Sequence, residues 1–223
     1  MTQFLFDELL PIFHGEIKEV FIRFVDKNIK KSPYIFSIVP RSFESTYEGK
    51  SITSFSIEAC GNTEYNFKKG GYSLSNNDGL YYYYCSEEWD GKSHSFTSKD
   101  FPKTDAVIMD YCVKNKDSIT EGEVKIVDGV YCGDLRFTKE FLKFQVELFD
   151  FLIDSMVHLR ENVFFVSAYN GKMLLNVEFP NYDGEEEEEG MEGYYTADKN
   201  IEVFERLNDK EDVKQYRKFI LGN

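Results

Sequence analysis

The stretch Thr138-Lys139-Glu140-Phe141-Leu142-Lys143-Phe144-Gln145-Val146-Glu147-Leu148-Phe149-Asp150-Phe151-Leu152-Ile153-Asp154-Ser155-Met156-Val157-His158-Leu159-Arg160 decides the fold. Phe141, Phe144, Leu148, Phe151, Leu152, Met156 and Leu159 recur at steps of three and four, which places them on one broad face of a helix. Thr138 stands where a side-chain oxygen can cap the first free amides. A helix this long and this apolar on one side needs a large surface to bury it against.

The neighbouring segments supply strands. Downstream, Val163 to Tyr169, the Asn170-Gly171 turn and Lys172 to Phe179 read as a hairpin. Ile201 to Ile220 is charged but carries Val203, Phe204, Leu207, Val213, Tyr216, Phe219 and Ile220, a helical docking face. Upstream, Val124 to Cys132 reads as a small hairpin turning at Asp128-Gly129. Thr104 to Asn115 reads as a helix with Ala106, Met109, Cys112 and Val113 on one side.

Leu80 to Cys85 reads as an aromatic strand, followed by Ser86 as the cap of a short acidic turn. Gly61 to Gly79 reads as a long polar loop. Ile52 to Ala59 alternates as a half-buried strand, Tyr34 to Val39 is a second strand ending at Pro40, and Arg41 to Ser51 connects them. Residues 12 to 30 read as a helix, with Pro11 in its first turn and Glu16, Lys18, Glu19, Arg23 and Lys27 facing outward. Ser32-Pro33 stops it.

These elements predict an α+β fold with a mainly antiparallel sheet and helices packed on one face. The 223 residues make one domain, 1–223, long enough to bury a core without metals or disulfides. Aromatic content of 17%, from 21 Phe and 15 Tyr, excludes a disordered chain.

Charge narrows the partners. Lys and Arg total 26 against 40 Asp and Glu, a net charge of −14. Half of that excess lies in one loop at about 181–199: Asp183, Gly184, Glu185, Glu186, Glu187, Glu188, Glu189, Gly190 and Glu192. Such a cluster stays solvated or meets something positive. Nucleic acid and anionic membranes are disfavoured, and a basic protein is favoured. A glutamate run also lacks the alternating, turn-forming ligands of a calcium loop.

Cys60, Cys85, Cys112 and Cys132 form no Cys-x-x-Cys pair, and His14, His94 and His158 are scattered, so no metal or cofactor is expected. The start of the chain has no basic n-region, and Asp7 and Glu8 interrupt its apolar stretch. No apolar run is long enough to span a membrane. The expected compartment is the cytoplasm, with reduced thiols.

Three local signatures carry a resemblance: Glu58-Ala59-Cys60-Gly61-Asn62-Thr63-Glu64, then Tyr81-Tyr82-Tyr83-Tyr84-Cys85-Ser86-Glu87-Glu88-Trp89, then Val203-Phe204-Glu205-Arg206-Leu207-Asn208. In that order the chain resembles a bacterial family catalogued as a domain of unknown function (4303 type), over most of residues 12 to 210. It departs from the pattern at 119 to 136 and in the length of the acidic loop. The resemblance implies a fold and a bacterial origin, and it brings no activity or catalytic residue. By association, proteins of this size and character resemble immunity or antitoxin-type partners.

Candidate binding residues are Glu185 to Glu189 for attraction, with Trp89, Tyr82 and Tyr84 as aromatic anchors. The structural alternative puts these rings in the core. Glu87 and Glu88 are the nearest approach to an acid–base pair, for a hydrolase of unrecognised class. Adjacent carboxylates usually diverge, and as helix-start charges they need no reaction to explain them. Cys85 lacks a demonstrable histidine partner. The expectation is a non-enzymatic protein-interaction protein that binds a basic partner.

Overall fold

One long hairpin organises the chain. The computed structural model describes residues 2–47, 50–84, 89, 100–121, 124–127, 130–133, 136–178 and 197–221. Helix α1 (Thr2–Asn28) leads into strands β1 (Pro33–Tyr47) and β2 (Lys50–Thr63), which pair antiparallel from Pro33↔Thr63 to Tyr47↔Lys50. Then come helices α2 (Glu64–Lys69), α3 (Asn77–Tyr84), α4 (Pro102–Lys114) and α5 (Lys116–Ile119). Short strands β3 (Thr120–Glu121), β4 (Val124–Val127), β5 (Val130–Gly133) and β6 (Arg136–Phe137) follow. The chain continues through α6 (Lys139–Glu161), α7 (Phe164–Ala168), β7 (Leu174–Val177), α8 (Ala197–Leu207) and α9 (Lys210–Leu221).

The main sheet has the order β2-β1-β7, and β7 runs parallel to β1 with Ile35↔Leu174 and Val177↔Ile38 in register. It is therefore a mixed sheet. Two antiparallel two-stranded pairs, β3 with β6 and β4 with β5, stand apart from it.

The α6 stripe folds as its spacing predicts. Phe141, Phe144, Leu148, Leu152, Met156 and Leu159 are buried, and the Thr138 hydroxyl accepts from the Phe141 amide at 3.1 Å. Phe55 of β2 stacks on Phe141 at 5.4 Å and meets Phe144 and Phe149 edge-on. From α1, Phe21 meets Phe36 at 5.1 Å and Phe165 at 4.9 Å. Each such ring, fully buried, contributes about 1.5–3 kcal/mol of transfer free energy.

Helices cover both faces of the sheet, which corrects the expectation of one. Phe36 and Ile38 of β1, with Leu175 and Val177 of β7, join the core under α1, α4 and α6. Ile35, Val39 and Leu174 point the other way, into a second core with Phe67, Leu80, Tyr84, Phe204 and Tyr216 from α2, α3, α8 and α9. Tyr34–Val39 and Leu174–Val177 are near-continuous apolar runs, the pattern of a strand buried on both sides.

Three further expectations change. Leu80 to Tyr84 is the end of a helix, not a strand: Asn76 caps it, its Oδ1 accepting from the Gly79 amide at 2.8 Å. Packing against α9 overrides the β preference of the tyrosines. Val163 to Phe179 is not a hairpin. Its first part winds into α7, its second becomes β7 beside β1, and a run this short carries either period. Pro11 lies inside α1, which begins at Thr2, instead of in a first turn.

The 41–51 connection proves to be the outer half of the hairpin, and the 61–79 loop contains α2, capped by the Thr63 hydroxyl at 3.2 Å from the Asn66 amide. The C-terminal segment forms two helices broken at Asn208 and Asp209.

Candidate functional site

A small open sheet has two raw edges, and in this fold each is met by one side chain. On β2, Ile57 donates its amide to Asp105 Oδ1 at 2.9 Å, so α4 lies along that edge. Burial pushes the Asp105 carboxyl up to about 7, helped by the Glu16 and Glu58 carboxylates and opposed by the Ile57 amide. Glu16 does not face outward as its helix position suggested. It is 7% exposed, and its two oxygens accept from the Lys103 and Thr104 amides at 2.9 Å each. Those are the free N–H groups at the start of α4, whose first residue is Pro102 and whose preceding Phe101 offers no side-chain cap.

On the opposite edge, Asn208 pairs with β7 as a strand would. Its Oδ1 accepts from the Leu175 amide at 2.9 Å, and its Nδ2 donates to the Leu175 carbonyl at 2.7 Å and the Phe204 carbonyl at 2.9 Å. One carboxamide thus closes a sheet edge and the C-terminus of α8 together. Read as sequence, an Asn after a helix signals a C-cap, and the edge pairing leaves no trace.

The aromatic anchors are interior groups. Tyr82, Tyr84 and Trp89 are 7%, 2% and 4% exposed, so none presents a face to a partner. Trp89 Nε1 donates to the Tyr82 carbonyl at 2.7 Å. Tyr84 meets Tyr216 at 5.2 Å and Phe219 at 5.5 Å, and Tyr34 stacks on Tyr83 at 4.1 Å while donating to its carbonyl. Burial raises the phenols of Tyr34, Tyr83 and Tyr84 above the ordinary range. As a helix, α3 turns these rings to pack on α2 and α9. Glu185, Glu186, Glu187, Glu188 and Glu189 lie outside the described residues, as do Cys85, Glu87 and Glu88.

The thiols that can be placed, Cys60 and Cys112, are buried, and burial pushes the Cys112 thiol up to about 11. That makes it a poor nucleophile. His14 and His158 stack at 5.3 Å between α1 and α6, and burial lowers the His14 imidazole. Among the described residues no group of three or more His, Cys, Asp or Glu is arranged to hold a metal ion. No helix among them is long and apolar enough to cross a membrane.

An open concavity lies beside α7. A groove of about 320 Å³ runs between the end of α6, α7 and the α8–α9 elbow. Phe165, Leu175 and Leu207 form its buried floor, and Arg160 pairs with Asp209 at 3.0 Å on its rim, where Lys172 also pairs with Asp212. Beside it, Val163, just before α7, and Val166, on α7, are 61% and 69% exposed, the two most exposed large apolar residues described. Sequence reading missed this surface because it took the segment for a strand.

The family model described as "Domain of unknown function (DUF4303)" matches residues 14–192, and the chain belongs to that family. No curated protein and no solved structure matches it. Two of the three sequence signatures fall inside the matched residues, and the Val203–Asn208 signature lies beyond them. The placed signature residues are scaffold: Thr63 caps α2, Trp89 ties down α3, and Asn208 closes β7.

Proposed function

We propose that this member of the family is a non-enzymatic, cytoplasmic protein-interaction protein that binds and masks a basic partner, in the manner of an immunity or antitoxin-type binder. The observation that carries the reading is the charge distribution. Seven carboxylates fall within residues 183–192, and the remaining chain still carries −14 + 7 = −7. Like charges at that density gain most from an oppositely charged macromolecule, whose encounter they accelerate by a factor on the order of 10–1,000 at low salt.

Two further observations support binding over catalysis. The carboxylates that are strongly engaged, Asp105 and Glu16, are consumed by the fold, each accepting backbone amides. The thiols of Cys60 and Cys112 are buried, away from any substrate. With the aromatic trio interior, attraction by Glu185 to Glu189 is the surviving part of the expected mechanism.

The test replaces Glu185 to Glu189 by Gln. The full chain and this variant are each mixed with the basic protein captured from the source cell, and association rates are followed against ionic strength. The variant associates more slowly and with a flatter salt dependence. Equal rates at low salt remove the acidic run from the mechanism, and capture of no basic protein removes the reading itself.

A further inference from the structure

We infer that the groove between α7 and the α8–α9 elbow, with Val166 on its lip and the exposed Val163 three residues before it, is the docking face for a cationic segment carrying apolar side chains on the basic partner; the inference rests on the function proposed above. It begins with a backbone anomaly. Val163 closes α6 with φ 52° and ψ 21°, the left-handed region. A β-branched residue there is a genuine outlier, disfavoured relative to glycine. Asn162, a residue that tolerates this conformation, stands one position earlier and is not used for it. The strained post is also 61% exposed, so no core contact compensates it.

Its neighbours give the strain a use. Val166 lies one turn along on the same side of α7 and is 69% exposed. Phe165, between them, is buried and fixes the short helix against Phe21 at 4.9 Å. The valines are thus held outward on a rigid mount, which lowers the ordering cost of a contact. Strained residues persist where the surroundings over-determine them, and they cluster at binding surfaces.

Charge selects the occupant. The rim cations Arg160 and Lys172 are each paired to a carboxylate, Asp209 and Asp212, while Glu161 adds a further negative charge. The groove is left with a net negative rim. A second copy of this chain, itself at −14, is repelled from it. A lysine-rich segment with aliphatic side chains satisfies both the rim and the valines.

The test uses the full chain and a fluorescent synthetic peptide of alternating lysine and leucine pairs, with a lysine-to-glutamine analogue as control. V163G is the informative variant. It relieves the backbone, so it melts at the same temperature or higher, and it removes one exposed apolar side chain beside the groove. The expected result is saturable binding, weakened about tenfold in V163G and in V166D, with methyl NMR shifts confined to Val163, Val166, Leu207 and Met173. The variant with Glu185 to Glu189 replaced by Gln binds the peptide more slowly but still shifts these methyls.

Unchanged affinity in V163G and V166D, or shifts on another face, overturns the groove and leaves the proposed function standing. Equal affinity for the glutamine analogue overturns the cationic occupant. Failure of the peptide to bind the parent chain at low salt overturns the inference, while the proposed function stands or falls on capture of a basic protein. A dimer in sedimentation that V163G and V166D abolish replaces the partner by a second copy and overturns the inference.

Discussion

Replacing Asn208 by Ala isolates one carboxamide that does the work of a missing strand. It is 8% exposed and engages both polar groups of Leu175, itself 3% exposed, together with the Phe204 carbonyl. Truncation leaves the Leu175 N–H and C=O buried without partners. Each orphaned group costs about 1–3 kcal/mol. The Phe204 carbonyl, at a helix end, recovers part of its bond from water, so the expected loss is about 2–4 kcal/mol. N208D keeps the shape but trades two donors for lone pairs facing two carbonyl oxygens, and is at least as damaging as N208A. Urea unfolding at neutral pH gives the free energies, and amide exchange at Leu175 shows where the opening occurs. If N208A costs less than about 0.5 kcal/mol, or N208D is tolerated, the edge-pairing account is wrong.

Asp105 makes stability depend on pH. Its carboxyl titrates near about 7 in the fold against an ordinary 3.8, so the folded chain holds a proton that the unfolded chain releases. The contribution is present in full below about pH 4 and is lost as pH rises through about 7. D105N retains an acceptor for Ile57 and drops this dependence. Measured by urea unfolding, its stability relative to the parent improves by roughly 1–2 kcal/mol between about pH 5 and about pH 8, after allowing for partial exposure. T138A removes the α6 cap and lowers stability by about 1 kcal/mol, whereas T138S restores most of it; thermal melts distinguish the two. G61A brings a methyl to 2.7 Å from the Ile35 carbonyl and into the Phe24 ring, and lowers the midpoint of chemical unfolding by about 1–3 kcal/mol equivalent.

What the chain discloses before folding follows from range. The α6 stripe, the Thr138 cap and the β4–β5 pair rest on neighbours within a few positions, and each forms as its spacing implies; α4 forms too, but it buries Thr104, Ile108 and Cys112 and leaves Ala106, expected on its apolar side, exposed. The parallel addition of β7 to β1 joins residues over a hundred positions apart, and nothing local in Leu174–Val177 distinguishes it from half of a hairpin. The tyrosine run misleads because aromatic residues fit a strand or a buried helix equally, and here the capping Asn76 decides. Glu16, Asp105 and Asn208 were unreadable for a different reason. Each is polar, sits on an element end or an apparently outward face, and acquires its role only when a distant backbone arrives. The valine lip was hidden because it depends on the wrong period being assigned to seven residues.

The bonds that Asp105 and Asn208 make to the two outer strands, at Ile57 and Leu175, bear on how this molecule can meet others. Many proteins capture an extended peptide by letting it zip onto a bare strand, using main-chain hydrogen bonds that ignore side-chain identity. Here the Ile57 amide near the middle of one outer strand, and the N–H and C=O of Leu175 on the other, are already taken from within. A visitor arriving as a strand would have to evict a side chain first. At Ile57 and Leu175, strand addition would compete with the protein's own side chains.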